Sequence, residues 1–232
     1  MFIIPDNNQA EVENRLRNLT ELYLVVKELI LYFEEVNPEQ KSDIQPINEL
    51  RNAFDHMMRV SAVALEVNPY EGDSQKYILT HIDKAFGHVY RAGYDTVDFL
   101  ALTIKAIISD ELDGFSVEAI SKALPEYYST IKPEIEQINL KIANYRAEKD
   151  VAQDDAEHLI EYIETVTKLC EYREQVSRAL PSISEIEEKR KNESKIRTRQ
   201  DWIKRIIIGI ILIIIGMLLQ PLFANIFVDR VS

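Results

Sequence analysis

Apolar positions recur along most of this chain at three- and four-residue steps, the spacing of amphipathic helices. Leu16, Leu19, Leu22, Val25, Val26, Leu29 and Phe33 form the first such stripe. Its helix is expected to follow Asp6 as cap and to end near Val36, ahead of Asn37-Pro38. A second helix is predicted from Ile44 to about Val67, with Pro46 in its first turn and NPYEGDS closing it. A third runs from Ser74 to Leu112 and stops at Asp113-Gly114, and a short helix follows Ser116. Ile135, Ile138, Ile142 and Tyr145 make another stripe. Leu159, Ile163, Val166, Cys170, Val176 and Leu180 make the last of the series, which Pro181 is expected to interrupt. The run EEKRKNESKIRTRQ has almost no apolar residue and reads as a solvated helix or a stalk. Long helices with short loops predict an all-α bundle of antiparallel neighbours.

The pattern changes at the C-terminus. Residues 206–228 carry no formal charge, and IIIGIILIIIGMLL is apolar on every face apart from its glycines. As a helix, 23 residues rise about 34 Å, enough to cross a bilayer's hydrocarbon core. A single transmembrane helix is therefore expected over 206–228. It would follow a cytoplasmic bundle, residues 1–182, and a basic juxtamembrane segment, 183–205, and would leave a short external tail, 229–232. Eight Lys and Arg residues precede the span between Lys189 and Arg205, and only Arg230 follows it. The positive-inside rule then places the body in the cytoplasm and the tail outside. Trp202 and Arg205 sit where interfacial anchors are expected, and Gly209 and Gly216 lie seven apart, near one face where two spans can approach closely. Residues 1–8 have neither a basic region nor a long apolar stretch, so no signal peptide is expected.

Charge sharpens this division. The 232-residue chain has a net charge of −12. Residues 189–232 hold nine basic and three acidic residues, a net of +6; residues 1–188 hold 18 basic and 36 acidic, a net of −18. Anionic lipid attracts the first segment and repels the second. Non-specific nucleic-acid binding by the whole chain is disfavoured. Only 6 glycines are present, which suits helices better than a turn-rich β fold. Cys170 is the single cysteine, so no internal disulfide or Cys-rich zinc site exists. No phosphate-binding glycine loop and no nucleophile elbow occur, so neither metal nor cofactor is expected.

Candidate chemistry concentrates in the second and third helices. ELRNAFDHMMRVSA and HIDKAFGHVYRAGYD share the pattern A-F-x-H-x-x-R, 32 residues apart. His56 and Arg59 in one, and His88 and Arg91 in the other, each share a helix face. An antiparallel hairpin would bring the two motifs together, with Asp55, Asp95 and Asp98 as carboxylate partners. His81 and His158 show no evident partner. Three readings are open. One is a polar layer inside the bundle, with Phe54, Phe86, Met57 and Tyr90 as surrounding core. The second is an anion pocket built from Arg59, Arg91, His56 and His88. The third is catalysis.

The catalytic reading rests on Arg51-Asn52-Ala53-Phe54-Asp55-His56, which fits R-N-x3-H. This resembles the ribonuclease motif of the HEPN (higher eukaryote and prokaryote nucleotide-binding) superfamily, whose members are helical bundles that usually act as dimers. The resemblance covers six residues and the all-helical character. It implies a metal-independent RNA-cleaving site in which Arg51 stabilises developing phosphate charge and His56 assists proton transfer. The leading expectation is different: a membrane-anchored cytoplasmic interaction or effector module. Its partners would be the lipid bilayer, further copies of itself and proteins that dock on the acidic helices. RNA would be a partner only under the HEPN-like alternative.

Overall fold

The computed structural model describes residues 9–38, 43–68, 70–148 and 156–228, with side chains past Met217 left out. Every regular element among them is helical: α1 (Gln9–Val36), α2 (Ile44–Ala64), α3 (Ser74–Leu112), α4 (Val117–Ala123), a π-helical turn (Tyr127–Ile131), α5 (Lys132–Glu148) and α6 (Ala156–Val228). The Asp6 cap and the tail 229–232 lie outside the described residues. The chain divides into two compact units. One joins Met1–Gly114 to Leu124–Leu180, and the other joins Phe115–Ala123 to Pro181–Ser232.

In the first unit α3 is the central helix. Its start is fixed by Asp73, whose carboxylate accepts from the Lys76 amide at 3.0 Å, and its end by Gly114 at φ 76°. Between Val89 and Val97 only Arg91 escapes burial. Its neighbours can be ordered from paired residues. His88 meets Glu49 while His81 meets His56, so α2 runs antiparallel to α3. Arg15 bonds Asp83 and the Phe33 ring lies 6.2 Å from that of Phe99, so α1 runs parallel to it. Tyr94 and Asp98 meet Tyr162, and Glu111 meets Arg173 (3.8 Å), so the first part of α6 is parallel too. Tyr145 stacks on Tyr162 at 4.9 Å while Glu134 bonds Lys168 at 2.7 Å, so α5 returns antiparallel to α6.

Several sequence expectations change. α2 ends at Ala64 rather than near Val67. α6 runs through Pro181 without a break, so the proline does not end the helix. The buried stripe of α6 is Leu159, Tyr162, Val166, Leu169, Tyr172 and Val176; Ile163, Cys170 and Leu180 are only half-buried. In α1, Val25 is exposed and Val12 is buried. Phe54, expected in the core, is 63% exposed.

In the second unit the Ser116 hydroxyl caps α4 by accepting from the Ala119 amide (3.2 Å), and it donates to Glu187 on α6 (2.5 Å). The Arg190 guanidinium and Ser116 hold the buried Glu187 carboxyl down to about 2. From Ile203 to Met217 the large apolar side chains of α6 are all exposed. Among the described residues no helix is long and apolar enough to cross a membrane. The span expected over 206–228 passes beyond the described side chains, which include neither Gly216 nor residues 218–228.

Gly93 permits a close approach of helices in the first unit. A Cβ there would lie 2.6 Å from Leu159 and 2.9 Å from Val26, so α1 and α6 close on α3 at this point. At Gly87 an added Cβ meets only the Arg91 guanidinium, at 3.5 Å. Gly93→Ala is therefore expected to cost about 1–3 kcal/mol through overpacking. Gly87→Ala should instead gain about 0.5–1 kcal/mol from helix propensity. Thermal unfolding of the two variants checks this, and shifts of the same sign would contradict it.

Candidate functional site

α2 meets α3 in an unusual way. Its fully buried side chains are small or short: Pro46, Ala53, Val60 and Ala64. Among these, the polar residues Glu49 and His56 turn toward α3 and meet His81, His88 and Arg91. Three of the four histidines in the chain thus gather in one layer. The His56 ring stacks on His88 with centroids 5.2 Å apart and lies 4.9 Å from His81. Tyr77 closes the far side, 4.2 Å from His81, and Tyr70 packs behind it at 4.5 Å.

The hydrogen bonding constrains the protons. His56 Nδ1 and His81 Nδ1 are 2.8 Å apart, so one must donate and the other accept. A second proton on this pair would set two N–H groups against each other. Burial is the main cause that lowers the pKa of both rings. For His56 the neighbouring histidines add to it, and for His81 the charges of Lys84 and Arg59 do. Glu49 Oε2 accepts from Arg91 Nε at 3.1 Å and lies 2.7 Å from His88 Nδ1. Burial opposes ionisation of Glu49, but the His88 hydrogen bond and the Arg91 charge together hold its pKa down. Arg91 Nη2 also lies 2.7 Å from His88 Nδ1. A bare Nδ1 accepts from Arg91 and a protonated one donates to Glu49, so His88 has two exclusive bonding states.

The sequence-expected residues divide into three groups. His56, His88 and Arg91 come together as expected. Arg59 instead turns to exposed Asp55 on its own helix, at 2.8 Å, so the two arginines of the A-F-x-H-x-x-R pair each face a different carboxylate. Asp98 is engaged elsewhere, by Arg146 (2.8 Å) and Tyr162. Asp95 is buried in α3, one turn beyond Arg91. Arg51 is exposed on α2. It lines an open groove of about 450 Å³ with His56, His88, Phe54 and Met58. A second groove, of about 570 Å³, is lined by His56, His88, Thr80, Lys84 and Arg91. Among the described residues no group of His, Cys, Asp and Glu is arranged to hold a metal ion. On α6, Trp202 and Arg205 are exposed, and a Cβ on Gly209 would meet nothing within 4 Å.

Two participants escape a motif-based reading, His81 and Glu49. His81 stands seven residues before His88, two turns along the same face, which is a signal the sequence does carry. Glu49 has no such mark.

The layer predicts a pH dependence. In the unfolded chain His56 and His81 take protons near pH 6.5, whereas the folded pKa values are lower. Between these values the unfolded state binds more protons. The stability from this layer is therefore complete above about pH 6.5 and is lost as pH falls through the folded values. Glu49 titrates lower and does not contribute in that window. The melting temperature should fall between about pH 7.5 and 5.5, and the fall should be smaller in a His56→Gln, His81→Gln double variant; equal slopes would contradict the assignment. No family model matches the chain, and neither a curated protein nor a solved structure matches it, so the functional reading rests on this geometry and on the sequence.

Proposed function

We propose that the protein is a membrane-anchored cytoplasmic helical module that acts through self-association and contact with other proteins. The observation that carries this reading is the bare apolar surface of α6. Ile206, Ile207, Ile208, Ile210, Ile211, Leu212, Ile213, Ile214 and Ile215 are all exposed, and consecutive residues of a helix point in all directions. Water penalises such a surface and a bilayer does not. The sequence stays uncharged beyond Met217 to Val228, though Gln220, Pro221 and Asn225 interrupt its apolar run, and the basic residues 189–205 supply the charge that keeps the preceding body inside. The acidic body, with a net of −18 over residues 1–188, stands away from anionic lipid and is available to partners.

A second reading, a membrane-tethered HEPN-like ribonuclease, is supported by one observation. Arg51 and His56 line the same open groove. His56, with its lowered pKa, would be neutral near pH 7 and able to take a proton from a ribose 2′-hydroxyl, while Arg51 would face the phosphate.

One experiment separates the two. The full-length chain in detergent micelles is incubated with mixed single-stranded and structured RNA, and its mass is measured by light scattering in the same samples. The interaction-module reading predicts a defined oligomer and intact RNA. Cleavage that Arg51→Ala and His56→Ala both abolish, with folding unchanged, would replace it with the ribonuclease reading.

A further inference from the structure

α2 is turned inside out for a helix in a bundle. Its inner face carries Ala53, Val60, Ala64 and the histidine layer, Leu50, Met57 and Val63 are half-buried, and the remaining large apolar side chains point outward. Ile44, Ile47, Phe54, Met58 and Leu65 are 46–74% exposed. With Arg51 and Ser61 they follow steps of three and four residues from 44 to 65, the a and d positions of three heptads. Among the described residues nothing covers this seam.

We infer that this face of α2 is a homodimer seam, packed antiparallel against α2 of a second copy. The inference rests on the self-association proposed above and names its surface. Charge chooses the occupant and the orientation. Arg51 sits on the seam, and among the described residues it has no ion-pair partner; Asp55, one turn later, is exposed at the seam's flank. A parallel pairing would stack Arg51 on the partner's Arg51, two like charges within the apolar contact. An antiparallel pairing centred between Asn52 and Ala53 sets Arg51 against the partner's Phe54 and beside the partner's Asp55. The twofold axis then repeats that contact, as an isologous interface requires. Ile47 faces the partner's Met58 in the same register. Moving the axis to His56 would set Arg51 against the partner's Ser61, six residues from the position opposite the partner's Asp55, so charge also fixes the register. Asp55 keeps its bond to Arg59 on one oxygen, and the other can accept from the partner.

The test uses the full chain in detergent micelles, with the dimer dissociation constant measured by dilution. Arg51→Glu and Asp55→Arg should each weaken the dimer about tenfold or more. The double variant, which swaps the charges, should return it to within a few-fold of the parent. Phe54→Asp, at an exposed position, should weaken it while leaving the helical circular-dichroism spectrum unchanged. In a Cys170→Ser background, a mixture of Ile47→Cys and Met58→Cys chains should form mixed disulfides under oxidation, whereas a parallel seam would link Ile47→Cys to itself. An oligomer that all of these variants leave intact would overturn the seam and keep the self-association reading. A chain that stays monomeric at every concentration would overturn both and point to an unrelated helix as the occupant.

Discussion

The enclosure of the middle of α3 governs the first unit. From Val89 to Val97 this helix has partners on almost every side, and Tyr90 and Tyr94 are fully buried within it. Such enclosure requires close approach, and Gly93 supplies it by leaving room for Leu159 and Val26. It also requires that the tyrosine rings find company, which they do in the contacts Tyr90–Tyr94 and Tyr94–Tyr162. Tyr162 in turn bonds Asp98, and Asp98 holds Arg146 of α5. The directions of α1, α5 and α6 follow from what each must present to this one helix.

α2 is the exception to that arrangement. Alanines, valine and a polar layer attach it to α3, where large aliphatic side chains hold the other neighbours. Packing half-buried His56 and Glu49 against buried His81 and half-buried His88 is favourable only while their protons match, because each bond in the layer needs one bare acceptor. The attachment of α2 is thereby conditional on charge state. The outer face of the same helix is rich in large apolar groups. The same helix thus meets α3 through small side chains and a polar layer and leaves large apolar side chains exposed on its other face.

Much of this was legible in the sequence. The bounds of α3 were clear because NPYEGDS marks a turn before Ser74 and Asp113-Gly114 has a local physical reason to stop a helix. The stripe of α5 was clear in part: Ile138 and Ile142 are buried, while Ile135 and Tyr145 are half-buried. The α6 stripe was displaced by one position because Tyr162 and Tyr172 bury their rings while Ile163 and Cys170 lie half-buried beside them, and a hydrophobicity pattern ranks isoleucine first. Pro181 misled because a long helix can keep its course through one missing hydrogen bond when its flanking turns are well held. Phe54 misled because periodicity shows that a helix has an apolar face but not which face meets the core. The histidine layer was half legible: the paired A-F-x-H-x-x-R segments located His56, His88 and Arg91, while Glu49 became visible only once the antiparallel register of α2 and α3 was known.

The central claim is that the C-terminal part of α6 anchors the chain in a bilayer with the helical body on one side. Reconstituting the full-length chain into liposomes with the body outward, digesting it with an external protease and identifying the surviving peptide by mass spectrometry tests this directly. The account predicts that the body is removed and that one apolar peptide beginning close to Ile206 survives. If no peptide from 206–228 is protected, the exposed isoleucines of α6 serve contacts in water, and the membrane reading fails.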